Sequence, residues 1–311
     1  MRKTIAAICF LFTLSASADY RELRNIPVDP SIAARLRMAA EATLKQYPKL
    51  KAEDIALSAI DLTNLNTIAR GDHRGDEPFY PASVIKLFFM ADVYATHHES
   101  LPDVDRALKE MIVVSDNDAT AYLVDILANT TGGPELQGRA LQRYIDHRRE
   151  INRRFQKLGY EDNVSAMMKT WSFGPFGRDR QVLGANRENR NKLTANATAS
   201  LLLWIVRRRA PGAEAMMNLL ARPLSPQRAE ENQVKEFLGE TLPAGAKLWS
   251  KAGWTNEVRH DAAYIEFPNG KKMILVIFTR GIADDLTLIP AVAKNVWTEF
   301  QPLTPPAPRT P

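Results

Sequence analysis

Alternating apolar and polar positions predict strands in two separate parts of the chain. Residues 55–62 alternate and are followed by NTIARGD (66–72), which reads as a hairpin partner across an Asn-Leu-Asn turn. Much later, KLWSKAGWT (247–255), HDAAYIEFPNG (260–270) and KKMILVIFTRG (271–281) predict three more strands. The Pro-Asn-Gly at the end of the second of these is typical of a tight turn. We therefore expect a sheet assembled from both parts of the sequence.

Helical periodicity fills most of the remaining chain. Residues 31–47 are amphipathic, and LIPAVAKNVWTEF (288–300) is again helical in pattern. The segment FYPASVIKLFFMADVYA (79–95) is apolar almost all round, yet it carries one lysine, Lys86. A lysine in such a helix either extends its amine to solvent or lies partly desolvated, where the neutral form is favoured.

The order of these elements predicts an α/β (α+β) fold with two structural parts. A discontinuous α/β domain comprises residues 19–79 and 241–300, and a helical domain comprises residues 80–240. The Pro-rich residues 301–311 are predicted to be disordered. Because the chain crosses between the two domains twice, we expect ligands to bind near the crossings.

Residues 1–18 have the features of a secretory signal peptide. Arg2 and Lys3 precede an apolar run, and Ala16-Ser17-Ala18 resembles a cleavage site before Asp19. The apolar run is shorter than the roughly 20 residues that span a bilayer. We expect a periplasmic or secreted protein with no membrane anchor after cleavage. Its only cysteine, Cys9, lies in this segment, so no disulfide is expected.

Composition argues against several classes of function. A formal net charge of +5 over 311 residues is mild, which does not suggest nucleic-acid binding. The five histidines, adjacent His97 and His98 among them, lack metal-ligand spacing. The run Arg207-Arg208-Arg209 follows an apolar stretch and is typical of a helix end. We expect no metal, no cofactor and a monomeric protein.

Ser83 and Lys86 give the first chemical signal. Residues three apart on a helix share one face, and a desolvated lysine can accept the proton of a serine hydroxyl. An S-x-x-K motif alone occurs about once by chance in a chain of this size. Two further motifs follow in order, Ser115-Asp116-Asn117 and Lys251-Ala252-Gly253. All three motifs together are much less probable by chance than the first alone.

These three motifs resemble those of class A β-lactamases and penicillin-binding proteins. The resemblance extends over most of residues 31–300 and implies a β-lactamase/transpeptidase-like fold, in which an antiparallel sheet flanked by terminal helices carries an inserted all-helical domain. It also implies a serine hydrolase that acts on a β-lactam or on a peptidoglycan peptide.

The resemblance implies roles for the matching residues. Ser83 corresponds to the acylated nucleophile, Lys86 to its proton acceptor and Ser115 to the relay that protonates the leaving nitrogen. The oxyanion hole would use the backbone N–H groups of Ser83 and Trp254. The substrate-binding candidates are Asn117, Lys251, Gly253, Trp254, Thr255 and Arg259. For a substrate carboxylate, His260 is an alternative to its neighbour Arg259, and a solvated surface pair is a further possibility.

Two departures from the family pattern affect function. Ala252 occupies a position where threonine or serine is usual, so one substrate-binding hydroxyl is missing. The E-x-x-L-N motif, whose glutamate activates the deacylating water, is absent. The acidic residues of the corresponding region are Glu161, Asp162, Asp179 and Glu188.

Acylation and deacylation are separate steps, so the missing glutamate leaves three hypotheses. The first is a β-lactamase-like hydrolase with a different water activator. The second is a D,D-peptidase that penicillin traps as a stable ester. The third is a sensor, or an esterase of unrelated substrates, on the same fold.

Overall fold

One six-stranded antiparallel sheet organises the molecule. The computed structural model describes residues 23, 25–160, 164–225 and 233–301. The strand order is β2-β1-β6-β5-β4-β3. The strands are β1 (Ile55–Asp61), β2 (Ala69–His73), β3 (Ala221–Arg222), β4 (Lys247–Trp254), β5 (Val258–Glu266) and β6 (Lys272–Arg280). The predicted α/β fold with an antiparallel sheet is confirmed.

Pairing between widely separated segments closes the centre of the sheet. Ile55 in β1 pairs with Thr279 in β6, and β6 pairs in turn with β5 along its whole length. The predicted turn at 268–270 joins these last two strands. Two residues of β3 extend the sheet at the β4 edge, where Ala221 pairs with Trp249. A strand of two residues is too short to show an alternating pattern, so the sequence analysis did not predict β3.

Nine α-helices lie within the described residues. They are α1 (Pro30–Gln46), α2 (Lys86–Ala95), α3 (Val104–Lys109), α4 (Asn117–Ala128), α5 (Gly138–Lys157), α6 (Gly177–Leu183), α7 (Ala195–Val206), α8 (Ala213–Leu220) and α9 (Leu288–Glu299). The predicted helix over residues 79–95 begins later than expected. A 3₁₀ turn, Ala82–Ile85, precedes α2, because Ala82 adopts a left-handed φ of 45° that an α-helix does not accommodate.

The two faces of the sheet bury different helices. Helices α1 and α9 pack on one face, where Leu36, Leu57 and Val292 belong to a single apolar cluster. Helix α7 packs on the other face, and α2 and α4 belong to the same apolar core, in which Phe88 and Leu201 are fully buried. Side chains that alternate along a strand supply both cores at once. The active-site motifs lie where β4 meets the beginning of α2.

Some predictions lie outside the described residues. They are the signal peptide at residues 1–18, the tail beyond residue 301, and Glu161 and Asp162. Within the described part of the chain, no helix is long and apolar enough to cross a membrane. The same residues contain no group of three or more His, Cys, Asp or Glu side chains arranged to hold a metal ion.

Candidate active site

Ser83 lies on a strained turn at the surface of the sheet. Its neighbours Ala82 and Val84 are buried, whereas Ser83 itself is partly exposed. The left-handed backbone of Ala82 is uncommon for a residue with a side chain and costs on the order of 1 kcal/mol. Such a turn presents the Ser83 hydroxyl to solvent at the start of an otherwise buried helix.

Gly253 brings the edge of β4 directly against this turn. A methyl group placed on Gly253 would lie 2.8 Å from the Ser83 nitrogen and 2.7 Å from the Val84 nitrogen. Only glycine permits so close a backbone approach. The contact places the backbone of the next residue, Trp254, beside the serine, as an oxyanion hole built from these two residues requires.

Lys86 is fully buried and points toward the other motifs. Its Nζ donates to Ser115 O at 2.6 Å, to Ser115 Oγ at 3.1 Å and to Asn117 Oδ1 at 2.8 Å. Burial lowers the pKa of Lys86 to about 7, and the charge of Asp116 opposes this shift only in part. A large fraction of the amine is therefore neutral near pH 7 and able to accept a proton.

Ser115 sits between two lysines. It follows a π-helical turn, Glu110–Val114, and adopts a left-handed φ of 65° that turns the chain toward the site. Its Oγ accepts from Lys86 Nζ and also from Lys251 Nζ, the second at 2.9 Å. One hydroxyl thus connects the two cationic side chains.

Asp116 and Asn117 divide structural and site contacts between them. The Asp116 carboxylate caps α4 by accepting from the Ala119 nitrogen at 2.6 Å. The Asn117 side chain instead faces Lys86. Asp116 thus holds the start of α4, while Asn117 contacts a candidate site residue.

Lys251 is completely enclosed. Its Nζ donates to Ser115 Oγ, to Gln233 Oε1 at 2.7 Å and to Ala252 O at 2.7 Å. An ammonium group has three donors, so all three are used. Burial, followed by the charges of Lys86 and Arg222, moves the pKa of Lys251 well below its usual value.

Two residues that the sequence analysis missed hold this arrangement together. Arg222 is buried and donates to the carbonyls of Ile112, Val113 and Ser250. Gln233 bridges Lys251 and the Val113 carbonyl. Neither belongs to a motif, and a single arginine or glutamine in a loop-rich stretch gives no sequence signal of such a role.

The cleft beside β4 has aromatic walls. It measures about 830 Å³ and is lined by residues that include Glu236, Phe237, Trp254, Thr255 and Arg259. Trp254 is 47% exposed and packs on Phe237 at 5.4 Å between ring centroids. The Thr255 hydroxyl accepts from the Glu257 nitrogen in the turn between β4 and β5. Arg259 reaches the cleft but is paired with Glu236.

His260 is a buried structural residue. Its Nε2 lies 2.8 Å from Tyr80 O, and its Nδ1 accepts from the Thr279 nitrogen at 3.1 Å, which assigns the proton to Nε2. Burial lowers the pKa of His260 to about 4, so it is neutral near pH 7. Of the two candidates for a substrate carboxylate, the structure places only Arg259 in the cleft.

The described carboxylates of the region after α5 are committed to other contacts. Asp179 accepts from Tyr144 and Arg148, each at 3.1 Å, and from Lys169 at 3.3 Å. Glu188 is exposed and accepts from the Asn186 nitrogen within its own loop. Asp179 is therefore occupied on the inside of the protein, whereas Glu188 keeps an exposed carboxylate with one backbone partner.

Comparison with known proteins agrees with this geometry. A model of the β-lactamase enzyme family matches residues 96–300. The chain belongs to this family. A search of curated proteins found no match.

Solved structures show the same fold at low sequence identity. PBP-A is 19% identical over 88% of this chain and 98% of its own, with a TM-score of 0.61. A β-lactamase from Sphaerobacter thermophilus is 20% identical over 86% and 98%, with a TM-score of 0.59. The TLA-1 extended-spectrum β-lactamase is 15% identical over 86% and 99%, with a TM-score of 0.61. Family and fold together support a β-lactamase-type serine hydrolase.

Proposed function

We propose that this β-lactamase-family protein opens β-lactam rings through an acyl-enzyme on Ser83. The observation that carries the proposal is the hydrogen-bonded chain Lys86–Ser115–Lys251 beside the serine turn. It provides a buried amine with a pKa of about 7 and a hydroxyl able to relay a proton. These are the two groups that acylation by a serine needs.

Acylation proceeds by a balanced pair of proton transfers. Neutral Lys86 takes the Ser83 hydroxyl proton while Oγ attacks the carbonyl carbon, and the backbone N–H groups of Ser83 and Trp254 stabilise the resulting oxyanion. The C–N bond then breaks. Ser115 gives its proton to the departing nitrogen and is reprotonated by Lys86, which ends neutral.

The remaining site residues bind and orient the substrate in this proposal. Asn117, which accepts from Lys86, contacts the substrate amide in this proposal, and Lys251 donates to Ser115 beside it. Gly253 allows the edge of β4 to lie against the Ser83 turn. Thr255 and Arg259 lie on the cleft beyond Trp254. We also propose export by residues 1–18.

The fate of the acyl-enzyme separates two candidate functions. A β-lactamase needs a water activator, and Glu161 and Asp162 remain candidates for it. A penicillin-binding protein of the D,D-peptidase type retains the penicillin ester and needs no activator for that, and the engagement of buried Asp179 in an ion cluster favours this second reading. One structural neighbour, a PBP-A mutant, was solved as an acyl-enzyme with penicillin G.

An intact-mass time course of residues 19–311 with benzylpenicillin tests both candidates, with Ser83→Ala as the control. A Ser83-dependent adduct that clears while penicillin is consumed means a β-lactamase. An adduct that persists means a penicillin-binding, D,D-peptidase-like protein. If neither an adduct nor consumption is seen, both proposals fail and the sensor or unrelated esterase is favoured.

A further inference from the structure

The cleft beside β4 contains its own anion. Arg259 has a side chain only 3% exposed, and its Nη2 donates to Glu236 Oε2 at 3.2 Å and to Glu236 O at 3.4 Å. The Glu236 side chain is 38% exposed and lines the open cleft. The Arg259 guanidinium therefore already has a carboxylate partner.

Lys251 has no donor left to offer a ligand, and the positive charge of Lys235 in the cleft lining is accompanied there by the negative charge of Asp284. All three N–H donors of Lys251 are used within the protein, and Ala252 has no hydroxyl. Asp261 and Asp285 also lie close enough to Arg259 to interact with its charge. At Arg259, an incoming carboxylate would thus meet an occupied guanidinium and nearby negative charge.

The cleft walls suit a different kind of group. The Arg259 guanidinium lies 4.4 Å from the Phe237 ring centroid, and the Trp254 ring centroid lies 5.4 Å from the same ring. Val114, Trp254 and Leu286 are large apolar side chains that are about half exposed and line the same space. Exposed apolar side chains gathered at one cleft mark a ligand surface more than scattered ones do.

We propose that Glu236 determines specificity by occupying Arg259, so that the cleft favours acyl substrates with an uncharged aromatic or apolar group at this end over substrates with an anion there. This inference rests on the proposed acylation of Ser83. A β-lactam that carries a carboxylate still reacts. Its carboxylate either displaces Glu236 from the Arg259 guanidinium or is repelled by the Glu236 carboxylate.

The test compares second-order rates of Ser83 adduct formation with benzylpenicillin and with its uncharged methyl ester. Glu236→Gln keeps an acceptor for Arg259 and removes the charge, and Glu236→Asp keeps the charge. Glu214→Gln removes an exposed carboxylate from α8 and serves as the matched control. Thermal unfolding of each variant checks that the fold is retained.

We expect Glu236→Gln to raise the rate with benzylpenicillin about fivefold, since one repulsive charge is lost near the cleft. The rate with the methyl ester should stay within about twofold of wild type, and the gain with benzylpenicillin should shrink as salt is added. Glu236→Asp and Glu214→Gln should behave as wild type.

An unchanged rate with benzylpenicillin, or an equal change with both substrates, would overturn the role of Glu236 while leaving acylation of Ser83 intact. If the wild-type protein forms no adduct with either substrate, the proposed function fails and this inference fails with it.

Discussion

At the scale of single residues, two buried lysines share the hydroxyl of Ser115. Among the described residues, neither lysine donates a hydrogen bond to a carboxylate, and burial opposes the charged form of both. Two ammonium groups beside one hydroxyl repel each other, which also favours loss of a proton from the pair. Lys86 can therefore act as the base near neutral pH, and the site needs no histidine for this role.

The pKa of Lys86 predicts how acylation depends on pH. The neutral amine is the active form, so the second-order rate with benzylpenicillin should rise about tenfold per pH unit below 7 and level off above it. The measurement is the rate of Ser83 adduct formation between pH 5 and 9. Lys86→Arg, which cannot lose its proton, should be slower by about 10²- to 10⁴-fold. A flat wild-type profile over this range would contradict the assignment of Lys86 as the base.

Gly253→Ala should separate the strand from the nucleophile. The added methyl would meet backbone atoms of Ser83, Val84 and Pro81 at 2.7 to 2.9 Å, and these atoms cannot turn aside. We expect acylation to slow about 100-fold, because displacements near 1 Å are enough for such a loss. Gly132→Ala is the control, since its methyl would come no nearer than 3.4 Å to a neighbour. Equal rates in the two variants would count against the close approach.

Sequence predicted the site residues better than their contacts. Motif order and spacing named Ser83, Lys86, Ser115 and Lys251 as candidates. In the structure, hydrogen bonds join Lys86, Ser115 and Lys251, and Gly253 brings the strand of Lys251 against the Ser83 turn. The pairing of Arg259 with a glutamate 23 positions away depends on loop conformation, which leaves no periodic signal. Contacts of that kind become visible only in three dimensions.

At the scale of elements, the π-helical turn that presents Ser115 depends on a side chain from the far side of the site. Arg222, from the short edge strand β3, donates to the carbonyls of Ile112 and Val113 near the end of that turn, and also to Ser250 in β4. A π turn leaves carbonyls without their usual helical partners, and the guanidinium satisfies them. The strand and the turn are thereby fixed relative to each other.

Arg222→Leu should weaken both stability and acylation. Three buried carbonyls would lose a charged donor, and we expect the free energy of unfolding in urea to fall by about 3 kcal/mol. Adduct formation should also slow in the fraction that stays folded, because the position of Ser115 is no longer held. Arg106→Leu, at an exposed residue in α3, should change stability by no more than about 0.5 kcal/mol. Wild-type stability in Arg222→Leu would refute the anchoring role.

The sequence pattern predicted the long strands and main helices, but it did not predict where local backbone conformation begins or ends an element. The long strands and the main helices followed from periodicities of two and 3.6, which the burial of their faces explains. The start of α2 was misplaced because the left-handed conformation of Ala82 has no marker in the sequence. Two-residue β3 is defined by its partner β4 alone.

At the scale of the whole molecule, a buried ion cluster ties the segment after α5 to the helical part. Arg148 and Lys169 face Asp125 and Asp179, and all but Asp125 are almost completely buried. Removal of one partner from such a cluster leaves an uncompensated charge in the interior. This cluster therefore supports the structure, whatever the identity of the water activator.

Asp179→Asn should destabilise the protein by about 3 kcal/mol without a specific effect on loss of the acyl group. Urea unfolding measures the first quantity, and the decay of the Ser83 adduct at temperatures where the variant is folded measures the second. Glu188→Gln, in the same region but exposed, should match wild type in both. Slower decay in Asp179→Asn with unchanged stability would instead identify Asp179 as the water activator.

The strand order has a consequence for how the protein forms. Strand β1 lies beside β6, and the nucleophile turn lies between them in the chain, so the sheet behind the active site cannot close before the last strand is available. Contacts between such distant segments slow folding, because a long loop must be ordered first. The helices between the strands are available earlier and make many local contacts. Reactivity at Ser83 is thus among the last properties that the folding chain acquires, and the appearance of a penicillin adduct would report completion of the sheet.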